Sequence, residues 1–288
     1  MVSEGGRVLL GNYHTHSKYD DGKGELEEYV LAAIAKGFTH LGFSGHAPMA
    51  VAADWLMSEE GLKGYVRDFR HIEPLYRDRI SLLLGLEVDY LPGKSAPGDA
   101  RFAGLGLDYV VGSVHYLVTP PAGEEGWAVD GSAQDLDRGV REDFGGDIRA
   151  LARAYYRSVA EMARHATPDI IGHFDVVKKN NRGETRFSES APWYRELALE
   201  ALDAVAASGA VLEINTGGIT RGKTDSVYPS AFILERCREL GIRIMVNADA
   251  HRPEHIDGEF PAAFELMRSL GFRSRWLKTK RGWAEQAL

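Results

Sequence analysis

One cysteine, Cys237, stands in 288 residues. It can close no internal disulfide and offers no thiolate cluster for a metal, which points to a reducing compartment. Its setting, Phe232-Ile233-Leu234-Glu235-Arg236-Cys237, has helical spacing and reads as a helix position rather than a nucleophile. No apolar run approaches the ~20 residues of a membrane span, and the N-terminus lacks a basic-then-apolar signal. A cytoplasmic protein without a membrane partner is expected. Positive charge is also short: 34 Lys and Arg face 42 Asp and Glu, a net charge of -8. Such a surface repels nucleic acid at long range, so no nucleic-acid partner is expected. A small anionic ligand is still admissible, because bound metal cations invert the local charge. No repeat, low-complexity tract or linker divides the chain, and residues 1–288 are expected to form a single domain.

What is present is a regular alternation of apolar runs with amphipathic stretches. Strands are predicted at 7–12, 40–44, 80–88, 109–115, 170–174, 211–215 and 243–247, and a short final one at 275–278. Helices are predicted at 25–36, 58–79 with a break near Pro74, 147–165, 192–208, 229–240 and 261–270, several closed by glycine. Residues 118–146, rich in Gly, Pro, Asp and Glu, read as a long loop and a candidate lid. Residues 180–189 read as an exposed loop. Short buried strands separated by helices imply parallel pairing through right-handed crossovers. Seven or eight such units predict an α/β barrel with outer helices; an open doubly wound sheet is the alternative.

The strand ends carry the chemistry. The first strand runs into Asn12-Tyr13-His14-Thr15-His16, where alternation puts both imidazoles on one face, and a carboxylate, Asp20 or Asp21, follows. The next strands end in Ser44-Gly45-His46, Gly85-Leu86-Glu87, Gly112-Ser113-Val114-His115, Gly172-His173, Glu213-Ile214-Asn215 and Asn247-Ala248-Asp249-Ala250-His251. In a parallel barrel these ends share one mouth. His14, His16, His46, Glu87, His115, His173, Asp249 and His251 therefore converge, and Asp21 makes a ninth donor. A lone strand-end histidine is usually a core residue, but this regular recurrence is not. Imidazole and carboxylate suit Zn, Mn or Fe, and nine donors fit two or three divalent ions better than one. His40, His71, His165 and His255 lie off the pattern and read as structural.

These motifs, in this order over almost the whole chain, resemble the polymerase and histidinol phosphatase (PHP) superfamily, most closely its monofunctional histidinol phosphatases. His46-Ala47-Pro48, Leu212-Glu213-Ile214-Asn215-Thr216-Gly217 and Tyr228-Pro229-Ser230 are similar to the latter. Asp21, directly before Gly22, matches better than Asp20. The resemblance implies a distorted TIM-like (β/α)7 barrel and three divalent ions. His14, His16, Glu87 and Asp249 would hold one. Glu87 would bridge to a second, held by His115 and His173. Asp21, His46 and His251 would take the third. Glu87, Asp249 and His251 would also serve catalysis.

The implied reaction is hydrolysis of L-histidinol phosphate in histidine biosynthesis, with a metal-activated hydroxide attacking phosphorus and no Ser or Cys nucleophile. Arg221 is the first candidate to hold the phosphate, because a guanidinium binds it bidentately. Lys223, Lys178, Lys179, Arg252 and Asn215 are further candidates. Asp175 is expected to orient His173. The alternatives are another small phosphate ester, a DNA 3′ end, which the acidic charge disfavours, and a non-catalytic metal-binding module.

Overall fold

The computed structural model describes residues 9–51, 53–118 and 126–288. Seven parallel strands pair in chain order: β1 (Gly11–Asn12), β2 (His40–Phe43), β3 (Ser81–Asp89), β4 (Tyr109–Ser113), β5 (Ile170–Ile171), β6 (Val211–Asn215) and β7 (Ile244–Asn247). The two outer strands meet. Thr15 and Ala250 form a parallel bridge, His16 N donates to Ala250 O at 2.9 Å, and Ala250 N donates to His14 O at 3.1 Å. Two side-chain amides stitch the same seam: Asn12 Oδ1 accepts from Ala248 N, and Asn247 Oδ1 accepts from Tyr13 N. The sheet is thus a distorted seven-stranded barrel rather than an open one, with two-residue strands at β1 and β5.

Around it lie α1 (Leu26–Ala35), α2 (Glu59–Tyr76), α3 (Ala133–Asp143), α4 (Ile148–His165), α5 (Pro192–Ser208), the single turn α6 (Gly217–Thr220), α7 (Ala231–Leu240) and α8 (Phe260–Ser269). Their ends follow local chemistry. The Ser58, Ser132 and Asp147 side chains cap α2, α3 and α4 by accepting from backbone N–H groups. α5 and α7 stop at Gly209 and Gly241, both left-handed. Apolar faces turn inward: Tyr155, Tyr156 and Val159 of α4 are buried alongside Tyr194, Ala198 and Leu202 of α5, and Tyr156 Oη donates to Tyr194 Oη at 3.0 Å.

The barrel interior below the strand ends is filled by side chains, so the mouth has a floor. Tyr109 crosses this interior, with its hydroxyl 2.8 Å from Tyr13 O and 3.0 Å from Phe43 O. Gly42 and Gly85 make room for it; a Cβ would stand 2.3 Å from the Tyr109 hydroxyl at Gly42 and 2.5 Å from its Cζ at Gly85. Leu9, Leu83, Val111, Ile170, Val211 and Met245 pack with Tyr109 and with Leu277 of a C-terminal hairpin, β8 (Ser274–Thr279) and β9 (Gly282–Ala287). Tyr13 Oη donates to Lys278 O, fixing the hairpin against the strand N-termini.

Sequence expectations are corrected at 118–146, at 180–189 and at Pro74, which lies inside a continuous α2 rather than breaking it, whereas the final strand at 275–278 is present within β8. Residues 118–146 are not all loop: α3 occupies 133–143, with only Leu136 and Gly139 buried, so its apolar signal is thin. Residues 119–125 of that stretch, and 7–8 of the first predicted strand, lie outside the described residues. The final strand at 275–278 has a partner, β9, which carries no apolar run because none of its residues is fully buried. Residues 180–189 are not wholly exposed either, since Asn181 and Phe187 are buried.

Candidate metal centre

Parallel strand ends set the frame, and short loop segments aim the side chains. His14 and His16 follow β1, His46 follows β2 and bridges to Glu87 of β3, His115 follows β4, His173 follows β5, and Asp249 and His251 follow β7. Asp249 sits at φ 49°, a left-handed conformation that aspartate tolerates better than most residues, at roughly 1–2 kcal/mol. Arg221 holds it there, with Nη2 donating to Asp249 Oδ2 at 2.9 Å.

All nine predicted donors come together. Glu87 is central: its Oε2 lies 3.0 Å from His14 Nε2, 3.1 Å from His46 Nδ1 and 3.6 Å from His16 Nε2. Its Oε1 lies 3.0 Å from His173 Nε2 and 3.8 Å from His115 Nε2. Asp249 Oδ1 reaches His16 Nε2 at 3.1 Å and His251 Nδ1 at 3.4 Å. Asp21 faces His251 at 3.2 Å and His46 at 3.9 Å. Four overlapping groups have donor atoms within 4.8 Å of one another: His16, Asp21, His46 and His251; His14, His16 and Asp249; His14, Glu87 and His173; and His46, Glu87 and His115.

This donor set fits divalent cations on three counts. First, His16 Nε2, His46 Nδ1 and Asp21 Oδ1 are buried without a hydrogen-bond partner, which a coordinated ion would satisfy. Second, Glu87, Asp89, Glu213 and Asp249 are buried carboxylates, and among the described residues Arg221 is the one Lys or Arg paired with any of them. So much buried negative charge calls for cationic partners, imidazoliums in the metal-free protein or metal ions in their place. Third, three imidazoles are gripped on Nδ1 by a carboxylate, which puts the proton there and turns Nε2 inward. His14 is held by Glu213 at 3.0 Å, His16 by Asp20 at 2.6 Å and His115 by Asp89 at 2.9 Å.

Protein charges alone tune these groups strongly. Burial would push the Glu87 carboxyl up, but His46 and His14 hold it well below the usual range. Burial likewise opposes ionisation of Asp249, and Arg221 and His14 outweigh it. Burial disfavours imidazolium, yet Asp20 lifts His16 to about 10 and Asp89 lifts His115 to about 10. His46 is pushed down by burial.

Above the donors opens a cavity of about 280 Å³. Its further walls include Trp55, Asp130, Lys179, Arg221 and Tyr228. Trp55 stacks on Tyr116, with ring centroids 5.7 Å apart, and stands edge-on to His46 and His115. Asp130 pairs with Lys179 at 2.8 Å. Asp130 lies midway along the predicted lid segment, where the neighbouring Val129 N donates to His115 O.

Of the predicted phosphate-binding residues, Arg221 and Lys179 line this cavity and the other four do not. Lys178 is buried elsewhere, its ammonium donating to Ser226 Oγ, Val227 O and Ser230 Oγ and lying 3.2 Å from Asp175. Asn215 lies beneath the site, where it donates to Glu213 and accepts from Gly217 N. Arg252 is exposed beside Glu254. Lys223 lines an adjoining hollow shared with Lys179 and Asp130. Asp175 does not orient His173; it accepts from Ser230 N and Oγ, and His173 Nδ1 has no partner among the described residues. His40, His71, His165 and His255 are absent from the cavity wall.

Sequence reasoning overlooked Glu213, Asp20 and Asp89 as partners of imidazoles. The first had a signal, since a carboxylate inside the apolar run Val211-Leu212-Glu213-Ile214 must find a buried partner. Trp55 and Asp130 had none, because spacing does not reveal which loop folds over a barrel mouth.

The family model for the PHP domain matches residues 12–217. A relative from Deinococcus radiodurans named "Probable histidinol-phosphatase" is 32% identical over 253 residues, covering 87% of this chain and 89% of its own. The histidinol-phosphatase of Bacillus subtilis is 25% identical over 279 residues, covering 88% of this chain and 97% of its own. Among solved structures, the histidinol phosphate phosphatase of Lactococcus lactis, complexed with Zn, L-histidinol and phosphate, aligns with a TM-score of 0.69 at 19% identity, covering 96% of this chain and 100% of its own. The motifs at the strand ends, the barrel that gathers them and the span of the family match agree: this chain belongs to the PHP domain family.

Proposed function

We propose that this chain is a histidinol-phosphatase, a metal-dependent phosphoric monoester hydrolase that converts L-histidinol phosphate to L-histidinol and phosphate in histidine biosynthesis. The observation that carries this reading is the convergence of nine imidazole and carboxylate groups on one floored cavity. The relatives from Deinococcus radiodurans and Bacillus subtilis supply the substrate. The whole chain, 1–288, is taken as one phosphatase unit. A cytoplasmic setting goes with the single, buried, unpaired Cys237. Among the described residues no helix is long and apolar enough to cross a membrane.

The ligand division implied by resemblance is part of this proposal. His14, His16, Glu87 and Asp249 would hold one divalent ion, Glu87 with His115 and His173 a second, and Asp21, His46 and His251 a third. Zn, Mn and Fe are all compatible with the donors. Bound there, such ions lower the pKa of coordinated water and neutralise phosphoryl oxygens. The chain's own residues do the remaining work. Glu87 presents one oxygen to each side of the cluster, so it couples its two halves. Glu213, Asp20 and Asp89 lock imidazole tautomers. Arg221 fixes Asp249 through Nη2 and Nη1, the latter also facing His251 Nδ1, and keeps its Nε–H and the second Nη2–H to offer a phosphoryl oxygen. Trp55, backed by the stacked Tyr116 ring, walls one side.

Protein stripped with a chelator and reloaded with Mn, Zn or Fe should release phosphate from histidinol phosphate faster than from a panel of other small phosphomonoesters. Turnover of the panel with none of histidinol phosphate would sink the substrate assignment. Full metal occupancy with no turnover at all would sink the enzyme assignment.

A further inference from the structure

Tyr228 carries a group that the donor cluster does not use. The residue is 2% exposed and lines the cavity, yet its hydroxyl has no hydrogen-bond partner among the described residues. A buried hydroxyl left unpaired forfeits its hydration without return, and a phenylalanine would fill the same space without that loss. The nearby Thr224 hydroxyl spends its own proton on Ser226 O at 2.9 Å, so it donates nothing to the phenol, and the phenol's proton meets no acceptor at hydrogen-bonding geometry among the described residues.

The ring is also held firmly. The Tyr228 backbone exchanges two hydrogen bonds with Asn215, N to O at 3.0 Å and O from N at 2.6 Å. Gly218 lies against the ring, where a Cβ would come within 2.7 Å of Cε2. The Lys178 ammonium stands 5.6 Å from the ring centroid, and the His173 ring meets it edge-on at 6.5 Å. Burial keeps the phenol protonated, with Asp130 and Asp175 adding to the effect. Tyr228 is therefore a fixed donor awaiting an acceptor. The cationic groups on the same cavity wall, Arg221 and Lys179, indicate an anionic one.

Resting on the phosphatase reading above, we propose that the Tyr228 hydroxyl donates a hydrogen bond to a non-bridging phosphoryl oxygen of the substrate, sharing the phosphoryl group with Arg221. No proton is transferred in this role; the phenol stays a neutral donor from substrate to product phosphate.

The test is Tyr228→Phe in metal-loaded protein, read by steady-state kinetics on histidinol phosphate and by calorimetric titration with inorganic phosphate. A hydrogen bond to a charged group gives an expected loss of roughly 10- to 100-fold in both kcat/KM and phosphate affinity. Bound metal, by elemental analysis, and Tm should stay at wild-type values. Wild-type phosphate affinity and kcat/KM in the variant would overturn the proposal. So would a loss of activity accompanied by lost metal or a lowered Tm, which would make the hydroxyl structural. The phosphate titration keeps its meaning even if histidinol phosphate proves not to be the substrate, so the two readings can fail separately.

Discussion

Glu213 grips the His14 imidazole from below, with both carboxylate oxygens 3.0 Å from Nδ1, while Nε2 faces Glu87 at 3.0 Å. Glu213 is itself held by Asn215, Asn247 and the His173 N–H. The ends of four strands, β1, β5, β6 and β7, thus share one buried carboxylate that coordinates nothing in the proposed scheme. Glu213→Gln keeps the size and removes the charge. Metal affinity should fall roughly 10- to 100-fold, as for other partners of ligating histidines. A competitive chelator titration reads this directly, and an unchanged affinity would show that Glu213 is only a packing residue.

Asp20 and Asp21 are adjacent in sequence and differ in task. Asp20 accepts from Ser17 N, His46 N and His16 Nδ1, so it shapes the turn. Asp21 turns to His251 and His46. Asp21→Asn should cost about one of three bound ions and lower kcat by on the order of 100-fold. Elemental analysis of the purified variant decides it. A full metal complement would remove Asp21 from the ligand set.

Metal binding and pH are coupled through the histidines. His16 and His115 are lifted to about 10 in the fold, above the 6.5 of an unfolded histidine. Their protonated forms therefore stabilise the fold fully below about pH 6.5, and that contribution fades as pH rises through about 10. Metal ions need the neutral imidazoles, so their affinity moves the opposite way and rises over the same window. The gap in Tm between metal-loaded and chelator-treated protein should widen from about pH 6.5 towards about 10. Parallel curves would mean that neither histidine exchanges a proton for metal.

Two basic residues that look interchangeable in the sequence separate by burial. Lys178→Met strands Asp175 without its buried counter-charge and should destabilise the fold by about 3–5 kcal/mol. Phosphate affinity of the remaining folded protein should be nearly unchanged. Arg221→Met should weaken phosphate binding and lower kcat/KM by roughly 100-fold, part of it through a loosened Asp249. Chemical denaturation and phosphate titration of both variants check this. Reversed effects would exchange the two assignments.

The barrel and its ring of donors were legible because both obey short-range rules. Buried strands show as apolar runs, and a residue at a strand end inherits its place from the strand. His14, His46, Glu87, His173 and Asp249 all follow that logic. The phosphate side was less legible because a basic residue in a loop carries no such address. Lys178 and Lys179 are neighbours, yet the single helical turn at 176–178 turns one into the protein and the other into the cavity. Asp130 and Trp55 reach the mouth through loop paths that leave no periodic trace. The hairpin strand β9 was invisible for a related reason: it is paired along one edge and has no fully buried residue.

The most direct measurement follows phosphate release from histidinol phosphate while chelator-stripped protein is titrated with Mn or Zn. Activity should be absent at the start, rise with bound metal and level off near about three ions per chain. Undiminished turnover in the stripped protein, or saturation of the donors without turnover, would contradict the account at its centre.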